Sequence, residues 1–188
     1  ANLSKKDADH FYRLWYELLA YINNIYKICP TMQEYLENLE KSKIDDQLLF
    51  PIREKLWKKP YIIMNYCEAN STLNEEDINI YKSWLKHHLK SRFIIMDFQE
   101  EGSLFMPLNE NVPTCIYQVL GINNDIRDLF KNKTLPFYIE TVILPFKDVI
   151  IYDTYINIFQ ASFDEKTIDI LYNQYENLLI NNIKTNLN

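Results

Sequence analysis

Glycine is nearly absent from this chain of 188 residues, which has only Gly102 and Gly121. Phosphate-cradling loops need glycine where backbone approaches a ligand or takes positive φ. No Walker A loop, dinucleotide fingerprint or G-x-S-x-G elbow can be written with two, so the common nucleotide-fold enzymes are not expected. Cysteine is scarce too: Cys29, Cys67 and Cys115 are odd in number and far apart. They do not read as a disulfide framework, and reduced, mostly buried thiols in the cytoplasm are expected. Of the three histidines, His10, His87 and His88, none pairs with another ligand at zinc spacing, so no metal and no cofactor are expected. No apolar run approaches the roughly 18 residues that span a bilayer, so no membrane segment is expected. The polar start ANLSKKDADH is not a signal peptide. Ala1 in place of Met suggests a processed or engineered start with a short upstream piece missing.

What is present is globular in balance, with 47% hydrophobic and 24% charged residues. Asn, Ile, Lys and Tyr are favoured, as AT-rich codons would favour them, so the Asn pairs need no functional explanation. The net charge is −6, and its placement is uneven. Residues 1–90 carry 13 basic and 13 acidic side chains, whereas residues 91–188 carry 7 and 13. An acidic second half is a poor match for nucleic acid, whose binding rests on phosphate neutralisation.

Residues 1–90 are helical in pattern. Phe11, Leu14, Trp15, Leu18, Leu19, Ile22 and Ile25 recur at helical spacing after Ser4 and Asp7, and that helix should end near Cys29-Pro30. Thr31 with Glu34 starts a second helix to about Lys41. A third, with Pro51 in its first turn, runs to about Lys58, and a fourth runs from Pro60 to about Asn70. Asn74 before Glu75, Glu76 and Asp77 starts a fifth, with Ile78, Tyr81, Trp84, Leu85, His88 and Leu89 on its apolar face.

From Arg92 the apolar period shortens to about 2. Phe93–Phe98 and Leu104–Leu108 flank a turn that uses Gly102, and Thr114–Gly121 is a third strand. Asp125–Phe130 reads as a helical turn. The segment Leu135–Phe159, LPFYIETVILPFKDVIIYDTYINIF, holds three β-branched and aromatic runs, read as three strands, the first two joined as a hairpin through Pro145-Phe146-Lys147-Asp148. Asp164 caps a last helix to about Lys184.

Chemistry-bearing candidates are few. Glu140, Asp148 and Asp153 lie in or beside the hairpin, with Tyr152 and Tyr155 flanking Asp153 at what reads as a strand end. A carboxylate there can serve as acid, base or turn stabiliser. Lys82, Lys86 and Lys90 fall at i, i+4 and i+8 on the fifth helix, with Arg92 beyond, as one basic stripe; a solvated helix face explains it as readily as a phosphate contact. Nothing local activates Cys67 or Cys115 as a nucleophile.

Phe11–Ile28 (FYRLWYELLAYINNIYKI), Arg53–Trp57 (REKLW), Ser83-Trp84, Phe93-Ile94-Ile95, Tyr117–Gly121 (YQVLG) and Glu140–Asp153 (ETVILPFKDVIIYD) together resemble an uncharacterised family of cytosolic proteins from low-GC Gram-positive bacteria. The resemblance spans nearly the whole chain and implies a fold and a bacterial cytosolic setting, with no activity attached. It departs at two places: Thr154 and Gln118 stand where the family pattern has glycine.

These readings converge on an α+β protein. A five-helix N-terminal unit (1–90) packs on a small, mostly antiparallel sheet or partly open barrel (91–188), closed by a C-terminal helix. The expected function is a non-enzymatic binding or regulatory module that meets a protein partner through the β half, near Tyr152, Asp153 and Tyr155. Two alternatives are a hydrolase of unfamiliar type using Asp153 with Glu140 or Asp148, and RNA binding through Lys82, Lys86, Lys90 and Arg92.

Overall fold

The computed structural model describes residues 1–38, 45–108, 112–160 and 162–188. The chain is α+β and divides into two compact units, Lys5–Lys86 and a second made of Ala1–Ser4 with His87–Asn188.

The first unit is helical. Helix α1 (Lys5–Tyr26) buries Phe11, Leu14, Trp15, Leu18, Leu19 and Ile22 completely or nearly so, as their spacing predicts. It stops earlier than Pro30 alone would require. Asn23 turns its carboxamide onto the chain, donating to the Cys29 carbonyl at 2.9 Å and accepting from the Cys29 amide at 2.7 Å. Lys27 takes φ +51°, a left-handed helix end. Helix α2 (Gln33–Glu37) is a short piece after a 3-10 turn at Pro30–Met32; it ends before Asn38, whose backbone is no longer helical, short of the expected Lys41, and residues 39–41 lie outside the described residues. Helix α3 (Phe50–Lys58) has Pro51 in its first turn, where proline's missing N–H costs nothing. Helices α4 (Ile62–Ala69) and α5 (Glu75–His87) follow. Asn74 caps α5 by accepting from the Asp77 amide at 2.8 Å. An aromatic core joins these helices: Trp84 lies 6.1 Å from Trp15 and 5.4 Å from Tyr81, and the Tyr81 hydroxyl donates to the Leu14 carbonyl at 2.6 Å.

The second unit is a closed five-strand barrel with an added strand and a helix. Strands β1 (Leu89–Gln99), β2 (Gly102–Pro107), β3 (Ile116–Leu120), β4 (Phe137–Phe146) and β5 (Val149–Ile158) close in the order β1-β2-β3-β5-β4-β1. All pairings in that ring are antiparallel except β3 with β5. Phe93, Ile95, Phe105, Val119, Ile139, Ile143 and Ile150 fill the interior. The alternate residues Ile94, Met96, Leu104, Met106 and Ile116 form a second apolar face, as the two-residue period demands. Helix α6 (Glu165–Leu179) covers that face with Leu171 and Tyr175, and Asp164 caps it by accepting from the Thr167 amide at 2.7 Å.

Three expectations need correction. The two runs after Lys147 are one bulged strand, β5. Thr141 faces Ile156 while Ile143 faces Tyr152, so the Asp153–Tyr155 stretch is accommodated as a bulge and not as a turn between strands. The turn between β1 and β2 is Glu100-Glu101, and Gly102 is needed for a different reason. Its φ is +156°, and a Cβ there would meet Gln118 Cγ at 2.8 Å and the Val119 carbonyl oxygen at 3.1 Å. The last helix ends at Leu179, and Ile183–Lys184 form strand β6, parallel to the start of β3.

Candidate functional site

The residues singled out from the sequence do not gather. Asp153 is fully buried. Tyr152 packs against the barrel interior, and the Tyr155 carbonyl accepts from the Thr141 hydroxyl at 2.6 Å. Glu140 lies across from Arg92, whose Nε approaches its Oε2 at 3.4 Å, while Arg92 also donates to the Tyr138 hydroxyl at 2.9 Å and stacks 5.1 Å over the Phe159 ring. Asp148 is exposed in the β4–β5 turn. Glu140 pairs with Asn157, and the turn follows Phe146, so six residues or roughly 20 Å of strand separate Glu140 from the tip. Of the carboxylates proposed to act together, Asp153 with Glu140 or Asp148, Asp153 is closed off from solvent while Asp148 stands exposed in the turn.

The basic stripe is also broken up. Helix α5 ends at His87, so Lys82 and Lys86 are helical while Lys90 and Arg92 belong to β1, in the other unit. The i, i+4, i+8 relation assumed a helix that continues through Lys90. Cys115 is buried, and burial pushes the Cys67 thiol up, away from the reactive thiolate. Among the described residues no three His, Cys, Asp or Glu side chains are placed to hold a metal ion, and no helix is long and apolar enough to cross a membrane.

The helical unit carries a concave site that the sequence reading missed. A groove of about 760 Å³ runs along α1, walled by Arg13, Glu17 and Tyr21 of α1, Gln33 and Glu37 of α2, Tyr66 of α4 and Asp77 of α5. Arg13, Glu17, Tyr21 and Asn24 recur every three or four residues, beside the apolar face of the same helix. Asp77 anchors one end. Its Oδ1 lies 2.8 Å from His10 Nε2, and its Oδ2 accepts from Arg13 Nη2 at 3.1 Å. Burial alone would raise the Asp77 carboxyl, but the bonds from His10 and Arg13 outweigh it and hold it below its ordinary value.

Glu17 has the opposite balance. Burial pushes its carboxyl up, Arg13 at 3.8 Å pulls it down, and the charge of Asp77 adds to the rise, with a net upward shift. Arg13 is committed more closely to Asp77 than to Glu17. Two rings complete the wall, Tyr21 and Tyr66, with centroids 5.1 Å apart. Gln33 donates to the Glu37 carboxylate at 2.7 Å and to the Ala20 carbonyl at 3.2 Å, which fixes α2 against α1. The His10, Arg13, Glu17 spacing was readable in the sequence. Asp77, some sixty residues later, was readable only as a helix-start residue.

Comparison with protein-family models, with curated proteins and with solved structures finds no match to this chain.

Proposed function

We propose that the protein is a binding module whose helical groove takes a small polar ligand bearing a positively charged nitrogen. The observation that carries this reading is the charge of the groove wall, where the carboxylates of Glu17, Glu37 and Asp77 stand with the single guanidinium of Arg13, which lies closer to Asp77 than to Glu17. A bound ammonium or guanidinium would offset that excess of negative charge. The class is the one expected from the sequence, a module that binds and does not catalyse, with its place moved from the barrel to the helices. RNA binding through Lys82, Lys86, Lys90 and Arg92 has less support, because the stripe is divided between a helix and a strand.

Calorimetric titration at low salt with spermidine, agmatine, choline and lysine methyl ester tests this. Saturable binding of at least one is expected, weakened at least tenfold by Glu17→Gln. Affinity should also fall as the pH drops through the raised Glu17 pKa, because a cation favours the ionised form. No saturable binding at millimolar ligand, or equal binding by the variant, would remove the reading.

A further inference from the structure

The barrel has a seam, and the chain fills it with its own segment Ile183–Leu187. β3 meets β5 only through Val119↔Ile150 and Leu120↔Ile151. The first half of β3 has no β5 partner; β6 takes that place, with Ile116↔Ile183 and Tyr117↔Lys184 in parallel register and the Ile116 amide donating to the Asn182 carbonyl at 2.9 Å. Two side chains hold this segment down. Ile183 packs on the apolar face beneath α6, and Leu187 packs against the barrel-interior cluster. The residues between and around them, Asn181, Asn182, Lys184, Thr185, Asn186 and Asn188, are exposed. What lies beneath is not: Ile116 is completely buried and Cys115 nearly so.

A strand held by two residue pairs and two half-buried side chains over a buried sheet edge is a weak occupant of a strong site. Backbone donors and acceptors of β3 give affinity to any extended chain, and the apolar clusters met by Ile183 and Leu187 give it sequence preference. We propose that the β3 seam is a peptide-binding slot, occupied in cis by Ile183–Leu187 and open to exchange with a partner's extended segment. That partner segment runs parallel to β3 and presents two aliphatic residues four apart. The cis segment acts as a strap: it keeps the edge covered until a tighter peptide displaces it, and it raises the threshold for binding through its high local concentration, of millimolar order.

The test uses the full chain with Ile183→Asp and Leu187→Asp, which loosen the strap and leave the slot intact. A synthetic peptide of residues 181–188, NNIKTNLN, is titrated to millimolar concentration while the amide NMR signals of Ile116 and Tyr117 are followed. The folded variant should bind the peptide at least tenfold more tightly than the unaltered chain, and a peptide with both aliphatics replaced by Asp should not bind. Equal binding by the two chains, or by the two peptides, would overturn the proposal. Hydrogen exchange on the unaltered chain gives a reading that no folding defect can spoil. The Ile116 amide should exchange at least tenfold faster than amides shared between β1 and β4, and equal protection would overturn the strap.

Discussion

Thr154 is the residue at which this fold is most visibly strained. Its φ is +77°, in the left-handed region that β-branched side chains seldom enter, and it sits at the centre of the β5 bulge. Left-handed backbone costs a non-glycine residue about 1–2 kcal/mol, and glycine returns part of that through a more flexible unfolded chain. Thr154→Gly should therefore stabilise the protein by about 0.5–1 kcal/mol, read as a higher urea midpoint with unchanged slope. A lower midpoint would mean that the threonine side chain makes contacts worth more than the strain. The glycine that the sequence resemblance expects at 154 would suit the left-handed backbone there. At Gln118 the side chain is instead accommodated by its neighbour, since the missing side chain of Gly102 leaves room for Gln118 Cγ.

Between elements, the tie that matters most in the helical unit is Asp77. Its side chain is only 4% exposed and joins α5 to His10 and Arg13 of α1. Asp77→Ala leaves two donors without their acceptor and should cost about 2 kcal/mol, less than a fully buried pair because Arg13 is half exposed. The pH dependence follows from the sign of the shift. The folded carboxyl titrates below its unfolded value, so the stabilisation is present above about pH 4 and is lost as the pH falls through the folded pKa. Urea denaturation at pH 7 and pH 3 should show the variant gap narrowing in acid. The elements themselves were largely legible: the apolar spacing of α1, the caps at Asn74 and Asp164, and Pro51 in the first turn of α3 all act locally. What was not legible at this scale was the end of α5 and the unity of β5. A strand beginning at Leu89 interrupts a helical pattern that could have continued, and a bulge carries the same polar residues as a turn.

At the scale of the whole chain, the barrel is closed by contacts remote in sequence. The first residues bond to Gly121, the Leu3 amide donating to the Gly121 carbonyl and the Gly121 amide to the Ala1 carbonyl, each at 3.0 Å. A Cβ on Gly121 would stand 1.8 Å from the Asn124 carbonyl oxygen, so the following turn admits no side chain there. Gly121→Ala should cost more than about 2 kcal/mol by forcing that turn away, measured by thermal and urea unfolding. A variant as stable as the unaltered chain would show that the turn relaxes freely. That two glycines suffice is itself informative, since each stands where another part of β3 or its turn comes within contact distance.

The sequence by itself determined the α+β class, helices before strands, and the hairpin through Lys147-Asp148, because propensity, capping and periodicity act over a few residues. It also determined that glycine-dependent phosphate loops are absent. Only the tertiary structure decided which polar groups meet. Asp153 was brought inside, Glu140 went to Arg92, and the lysine stripe was divided between a helix and a strand. Asp77 was carried to His10 and Arg13, and Ile183 to the edge of β3. Pairings across some fifty residues or more depend on how whole elements pack, and no local pattern of charge or hydrophobicity encodes them.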